Sequence, residues 1–297
     1  MRLGQIFNIA VFNQFIDSFT RKALLLSNSR DIDEALKNIY LLSHVIYPYS
    51  DSFLVKTHRY MEKYREYRRY YDRIKALLLN TSQALEKRLR EEIGFPKAQG
   101  IESIISRIIY LMAVLNCDEP LYRRYLDPLK IQKILSVLST PWAQHSKIFD
   151  FITEDTHLNI IPGGVIQLWA LKILFEELNS RGVSSRIYLP ATRLLDYISS
   201  VDYFEGINNE AEVVPYNPEK LREIIAHLGE KHELVLVSNI LGIASITTLL
   251  HIEDKTYDNI YLLFNPMETR LAQYLVQTPY IMPATNLIET IRIKAEK

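Results

Sequence analysis

The chain has one cysteine, Cys117, among 297 residues, which excludes an internal disulfide and any metal site built on several thiolates. Glycine is scarce, at nine residues, and the sequence contains neither GxGxxG nor GxxxxGK[ST], so two common phosphate-cradling loops are absent. Charge of one sign is also lacking. Lys plus Arg and Asp plus Glu are balanced at 35 each, so no overall field draws the molecule onto nucleic acid or an anionic membrane. No apolar run reaches the roughly 18 residues of a membrane span, and Gln5, Asn8 and Asn13 interrupt the N-terminal MRLGQIFNIAVFNQF, which argues against a signal peptide. The seven histidines form no HxH or HExxH pair, so the expectation is no metal, no cofactor and no membrane partner, in a cytoplasmic protein.

A 48% hydrophobic share supplies a sizeable core, and the length suits two domains. The 19 tyrosines, few glycines and abundant Ile and Leu fit a rigid, thermophile-type composition. Residues 5–48 carry two helical patterns, and residues 52–93 carry a long one in which Tyr60, Tyr64, Tyr67 and Tyr71 recur at alternating four- and three-residue steps. Arg65, Arg68, Arg69 and Arg73 lie between the tyrosines. Two readings stand open for this stretch: a packing seam with a wet cationic face, or a nucleic-acid surface on which bases stack against rings while cations meet phosphates. A further helix is expected over 101–115, and nothing before residue 150 reads as a strand.

From His157 the pattern changes to short β-branched runs alternating with helix-length segments. LNIIP, SSRIYLPA, ELVLVSN, DNIYLLFNP and YIMPA are the strand candidates, separated by helices that include Val165 to Asn179 and residues 219–229. The predicted fold class is α/β: an α-helical domain over 1–155, followed over 156–297 by a Rossmann-like three-layer domain with a mainly parallel sheet of about five strands. Ligands bind such sheets at the carboxyl ends of the strands. Two segments qualify: Gly163-Gly164 after the first strand, and the run after Val237, where Ser238, Asn239, Gly242, Ser245, Thr247 and Thr248 offer hydroxyl, amide and backbone N–H groups to a phosphate. Because Ile240, Leu241, Ile243 and Ile246 surround them, packing against another domain or subunit is the competing reading.

The segment ELVLVSNILGIASITTLL, followed by NIYLLFNPMETRLAQYLVQTPYIMP, resembles the phosphate loop, helix and next strand of the sugar isomerase (SIS) domain family. That family holds a sugar phosphate in a Ser-x-Ser-Gly-x-Thr-x-Asp/Glu-Thr loop. Laid on Gly242, the two serines of the motif fall on Asn239 and Leu241, the threonine on Ala244 and the acidic residue on Ile246, leaving Gly242 and Thr247 as matches. A second resemblance, carried by RIYLPATRLLDYIS, is to the initiation factor 2B and sugar-1-phosphate isomerase family. The first resemblance implies a non-catalytic or regulatory SIS-like protein that binds a phosphorylated sugar or other small anion and acts through protein–protein contacts. A phosphosugar isomerase and a nucleic-acid-binding protein are the alternatives. No catalytic residue is assigned. The exposed Tyr seam and the apolar run after Asn239 together predict a homo-oligomer, with a homodimer as the expected form.

Overall fold

The computed structural model describes residues 101–114, 155–192, 211–231, 233–251, 253–263 and 281–286, with positions 152, 198–200 and 203, and nine helical positions between 55 and 87; within these spans the side chains of some residues are not described. The two N-terminal helical patterns, Tyr60, Tyr64, Tyr67 and Tyr71, and Arg65, Arg69 and Arg73 lie outside the described residues. Arg68 is helical and exposed.

The first described helix, α1 (Ile101–Val114), leads to a six-stranded sheet. In chain order follow β1 (His157–Ile161), α2 (Leu168–Asn179), β2 (Ser184–Pro190), β3 (Glu212–Tyr216), α3 (Leu221–Glu230), β4 (Leu234–Val237), α4 (Ile240–His251), β5 (Ile260–Leu263) and β6 (Ile281–Pro283). The strand order is β3-β2-β1-β4-β5-β6. The first five strands are parallel, and β6 runs antiparallel to β5. The chain steps outward from β1 through β2 to β3, then returns to the other side of β1 as β4. This reversal is the topological switch of a Rossmann-like sheet.

The strands β1, β2, β4 and β5 are short runs of Val, Ile and Leu, and nearly every residue along them is buried, as expected where helices cover both faces of a parallel sheet. β3 is the strand that the sequence pattern hides. Its EVVPY carries Pro215 and has a burial pattern that is exposed or partial until Tyr216. Pro lacks the N–H of a ladder and is tolerated at a sheet edge, and β3 is an edge strand.

One hydrophobic core joins Ile105, Ile108, Ile109, Leu111 and Met112 of α1 to β1, α2 and β2. Thus α1, which precedes the expected boundary at residue 155, packs on the sheet half. α2 buries Leu168, Trp169, Leu171, Ile173, Leu174, Phe175 and Leu178. It ends where Val183 N–H reaches Leu178 O (3.0 Å) and Gly182 takes φ +71°, a left-handed position that favours glycine. Right-handed crossovers in this strand order place α2 on one face and α3 and α4 on the other. The helical positions before α1 reach the sheet half at two places: Glu86 pairs with Lys172 of α2 (3.0 Å), and Arg59 donates to Glu219 (3.0 Å) and Asn217 (3.4 Å) just after β3.

Candidate functional site

The switch between β1 and β4 brings together two of the segments singled out in the sequence. β1 ends in Pro162-Gly163-Gly164 and β4 in Ser238-Asn239, and Ser238 N–H donates to Ile161 O (2.9 Å) across the two strand ends. What fills the crevice is Gln167, in the 3-10 turn that leads into α2. Its Oε1 accepts from Gly163 N–H (2.7 Å) and from the Ser238 hydroxyl (2.8 Å), while its Nε2 donates to Met112 O of α1 (2.7 Å). This one amide ties both strand ends and the α1 helix to one point. Sequence reasoning passed over it; the available signal was a lone amide inside the apolar run GGVIQLWALKIL.

Asn239 makes a second clamp. Its Nδ2 donates to Pro162 O (3.0 Å), and its Oδ1 accepts from Gly242 N–H (2.5 Å), which caps the first turn of α4. Gln167 and Ser238 are wholly buried, and Asn239 is 1% exposed. The Tyr216 hydroxyl, from the end of β3, lies near Asn239 but makes no hydrogen bond of ordinary geometry. Burial pushes its pKa well above the usual phenol value, and the Asn239 amide pulls weakly the other way.

Gly242, which the sugar isomerase resemblance placed in a phosphate loop, lies instead in the first turn of a helix. Only Ser238 and Asn239 separate β4 from α4, so Gly242, Ser245, Thr247 and Thr248 are helical. The reason is local. Asn239 supplies the cap, and ILGIASITTLL is apolar enough for every described side chain from Leu241 to Leu250 to be buried. Thr247 donates its hydroxyl to Ile243 O (2.8 Å) and Thr248 to Ala244 O (3.0 Å), so both serve their own helix. Gly242 is required by closeness rather than by backbone angle: a Cβ there would stand 2.5 Å from Val237 Cγ1 and 2.9 Å from Asn239 Oδ1. Gly164 has φ −72° and ψ 161°, an extended conformation open to any residue, so the first turn does not need the glycine that a phosphate-cradling loop would suggest.

At the opposite end of the strands, Asp155, His157, Glu233, Asp258, Asn259 and Tyr261 line a half-open cleft of 560 Å³. Desolvation raises the Tyr261 pKa above its ordinary value, with the charge of Asp258 adding to it. Among the described residues no group of three or more His, Cys, Asp and Glu side chains is arranged to hold a metal ion, and no helix is long and apolar enough to cross a membrane.

No family model matches the chain, and no curated protein matches it by sequence. Its fold is similar to that of a solved DUF89 family protein from Pyrococcus horikoshii, with a TM-score of 0.62 at 12% identity, over 89% of this chain and 91% of that one. At that identity the likeness is one of fold. It corrects the expectation from sequence: the DUF89 fold differs from that of the sugar isomerase domain, so neither that resemblance nor the weaker one to the initiation factor 2B family holds. The short β-α-β spacing that suggested a sugar isomerase is shared by many parallel sheets, and strand order, which spacing does not encode, separates them.

Proposed function

We propose that the protein is non-catalytic at the place where its fold ordinarily binds a ligand, and that it works through contacts with other protein chains, its own copies included. The observation that carries this reading is the closed polar network at the switch point. Gln167, Ser238 and Asn239 bond to one another's strand ends and to Met112 O, and are buried at 1% exposure or less. A ligand site presents polar groups to its occupant, whereas these side chains are committed to holding β1, β4, α1 and α4 together. The same groups, Gly163, Gly164, Ser238, Asn239, Gly242, Ser245, Thr247 and Thr248, were the ones offered to a phosphate by the sequence.

The test is a thermal-shift titration of the full chain with inorganic phosphate, glucose 6-phosphate and ribose 5-phosphate. A ligand of the folded state raises the melting temperature with concentration. The expected result is no saturable rise; a saturable rise that Asn239→Asp abolishes overturns the reading. Self-association is checked by light scattering over a hundredfold dilution, where a mass of 34.7 kDa throughout would refute it. Tyr64→Glu with Tyr71→Glu is expected to dissociate a seam-based dimer.

A further inference from the structure

Of the five parallel strands, β3 is the most weakly seated. Among the described residues it pairs with β2 alone, Glu212 and Pro215 are exposed, and Val213 and Val214 are only partly covered. Pro215 brings no N–H to the sheet, and Tyr216, at the end of the strand, is its one buried residue. β1 and β4, by contrast, each lie between two paired neighbours and are buried along nearly their whole length. Segments with few buried apolar contacts and solvent-exposed backbone hydrogen bonds are the ones that open apart from the rest of a fold.

Charge holds this segment at both ends. At its start, Glu212 accepts from Arg186 of β2 (2.7 Å). Just past its end, Arg59 donates to Glu219 (3.0 Å) and Asn217 (3.4 Å), and Asn217 Oδ1 also accepts from Glu219 N–H (3.2 Å), which caps the turn leading into α3. Both pairs face solvent: the side chains are 32% and 59% exposed for Arg186 and Glu212, and 49% and 39% for Arg59 and Glu219. Exposed pairs of this kind are weak and are screened by salt. They also differ in origin. Arg186 belongs to the neighbouring strand, whereas Arg59 comes from the helical positions before α1, 160 residues earlier than Glu219. The other tie from those positions, Glu86 to Lys172, lands on α2 instead.

We propose that residues 212–219 form a strap that opens apart from the rest of the sheet, and that Arg59 is the clasp by which the helical positions before α1 set how often it does. Opening parts β3 from β2, breaks the bond from Ala191 N–H to Tyr216 O (2.8 Å) and draws the Tyr216 side chain away from Asn239. The knot of Gln167, Ser238 and Asn239 loses nothing in that step, because the Tyr216 hydroxyl makes no hydrogen bond of ordinary geometry. The movement therefore uncovers one side of the switch point and leaves its joint intact.

The experiment is hydrogen–deuterium exchange of the full chain, read by mass spectrometry on peptides covering β1, β3 and β4. In the wild type, the β3 amides are expected to exchange well ahead of those of β1 and β4. Arg59→Gln and Glu219→Gln should each speed exchange in β3 by about twofold to fivefold, the reach of an exposed ion pair, and leave β1 and β4 unchanged. The difference from the wild type should narrow at about 1 M salt. Reversal of the pair, Arg59→Glu with Glu219→Arg, should restore the slow exchange, and Lys172→Gln, which cuts the other tie, should not alter β3. Exchange in β3 as slow as in β1 and β4 would overturn the strap. Exchange indifferent to Arg59→Gln, or speeded equally by Lys172→Gln, would overturn the role of Arg59 as its clasp.

Discussion

The two ends of one parallel sheet differ in how their polar groups are spent. At the carboxyl end, Gln167, Ser238 and Asn239 are buried and hydrogen-bonded into a closed knot. At the amino end, Asp155, Glu233 and Asp258 surround a 560 Å³ cleft without a cationic partner among the described residues, and buried acceptors on Asn159 and Asn259 have no donor. Topology alone would assign the ligand to the first end, because strand carboxyl ends and helix N-termini suit anions. Hydrogen-bond satisfaction argues against that assignment, since a satisfied buried group has nothing left to offer.

If the carboxyl end is a structural joint, breaking it will cost stability. Gln167→Leu retains similar bulk but leaves Gly163 N–H, the Ser238 hydroxyl and Met112 O without their partner. At about 1 kcal/mol or more for each stranded buried group, a loss of roughly 3 kcal/mol in urea unfolding is expected. A loss under about 1 kcal/mol would show that the knot is not a fastening. Gly242→Ala comes next. The added methyl meets Val237 and the capping Asn239, and overpacking of this kind costs about 2 kcal/mol by the same measurement.

Tyr216→Phe sharpens the comparison through pH. A phenol whose pKa is raised in the folded state ionises first in the unfolded chain, so the folded state's advantage is complete below pH 10 and is lost as pH rises from there through the folded value. Melting curves at increasing alkalinity should therefore fall less steeply in Tyr216→Phe, by up to about 1.4 kcal/mol per pH unit. At neutral pH the variant should be nearly neutral, because the hydroxyl has no hydrogen bond to lose. The smallest effect belongs to the other end of the sheet. Asp258→Asn removes an exposed carboxylate that holds nothing among the described residues, and its unfolding free energy should stay within about 0.5 kcal/mol of the wild type. A large loss there would reassign the amino end to structure.

The sequence by itself determined the elements whose reason is local. Short apolar runs marked β1, β2, β4, β5 and β6, and the helical period marked α1, α2 and α3, because burial on one helix face or on both faces of a sheet leaves a direct trace in composition. Tertiary structure alone decided the rest. The edge strand β3 was hidden since Val213, Val214 and Pro215 are only half-covered or exposed, so no apolar run is required of them. Gly242 was expected in a phosphate loop; here it is small so that α4 can pass close over Val237, a contact made only once β4 and α4 are packed. Gln167 reaches Ser238 across 71 positions and Met112 across 55, and Asn159 reaches Glu233 across 74. Pairings at such separations follow from strand order, and strand order depends on which faces bury the most apolar surface together rather than on any single stretch of chain.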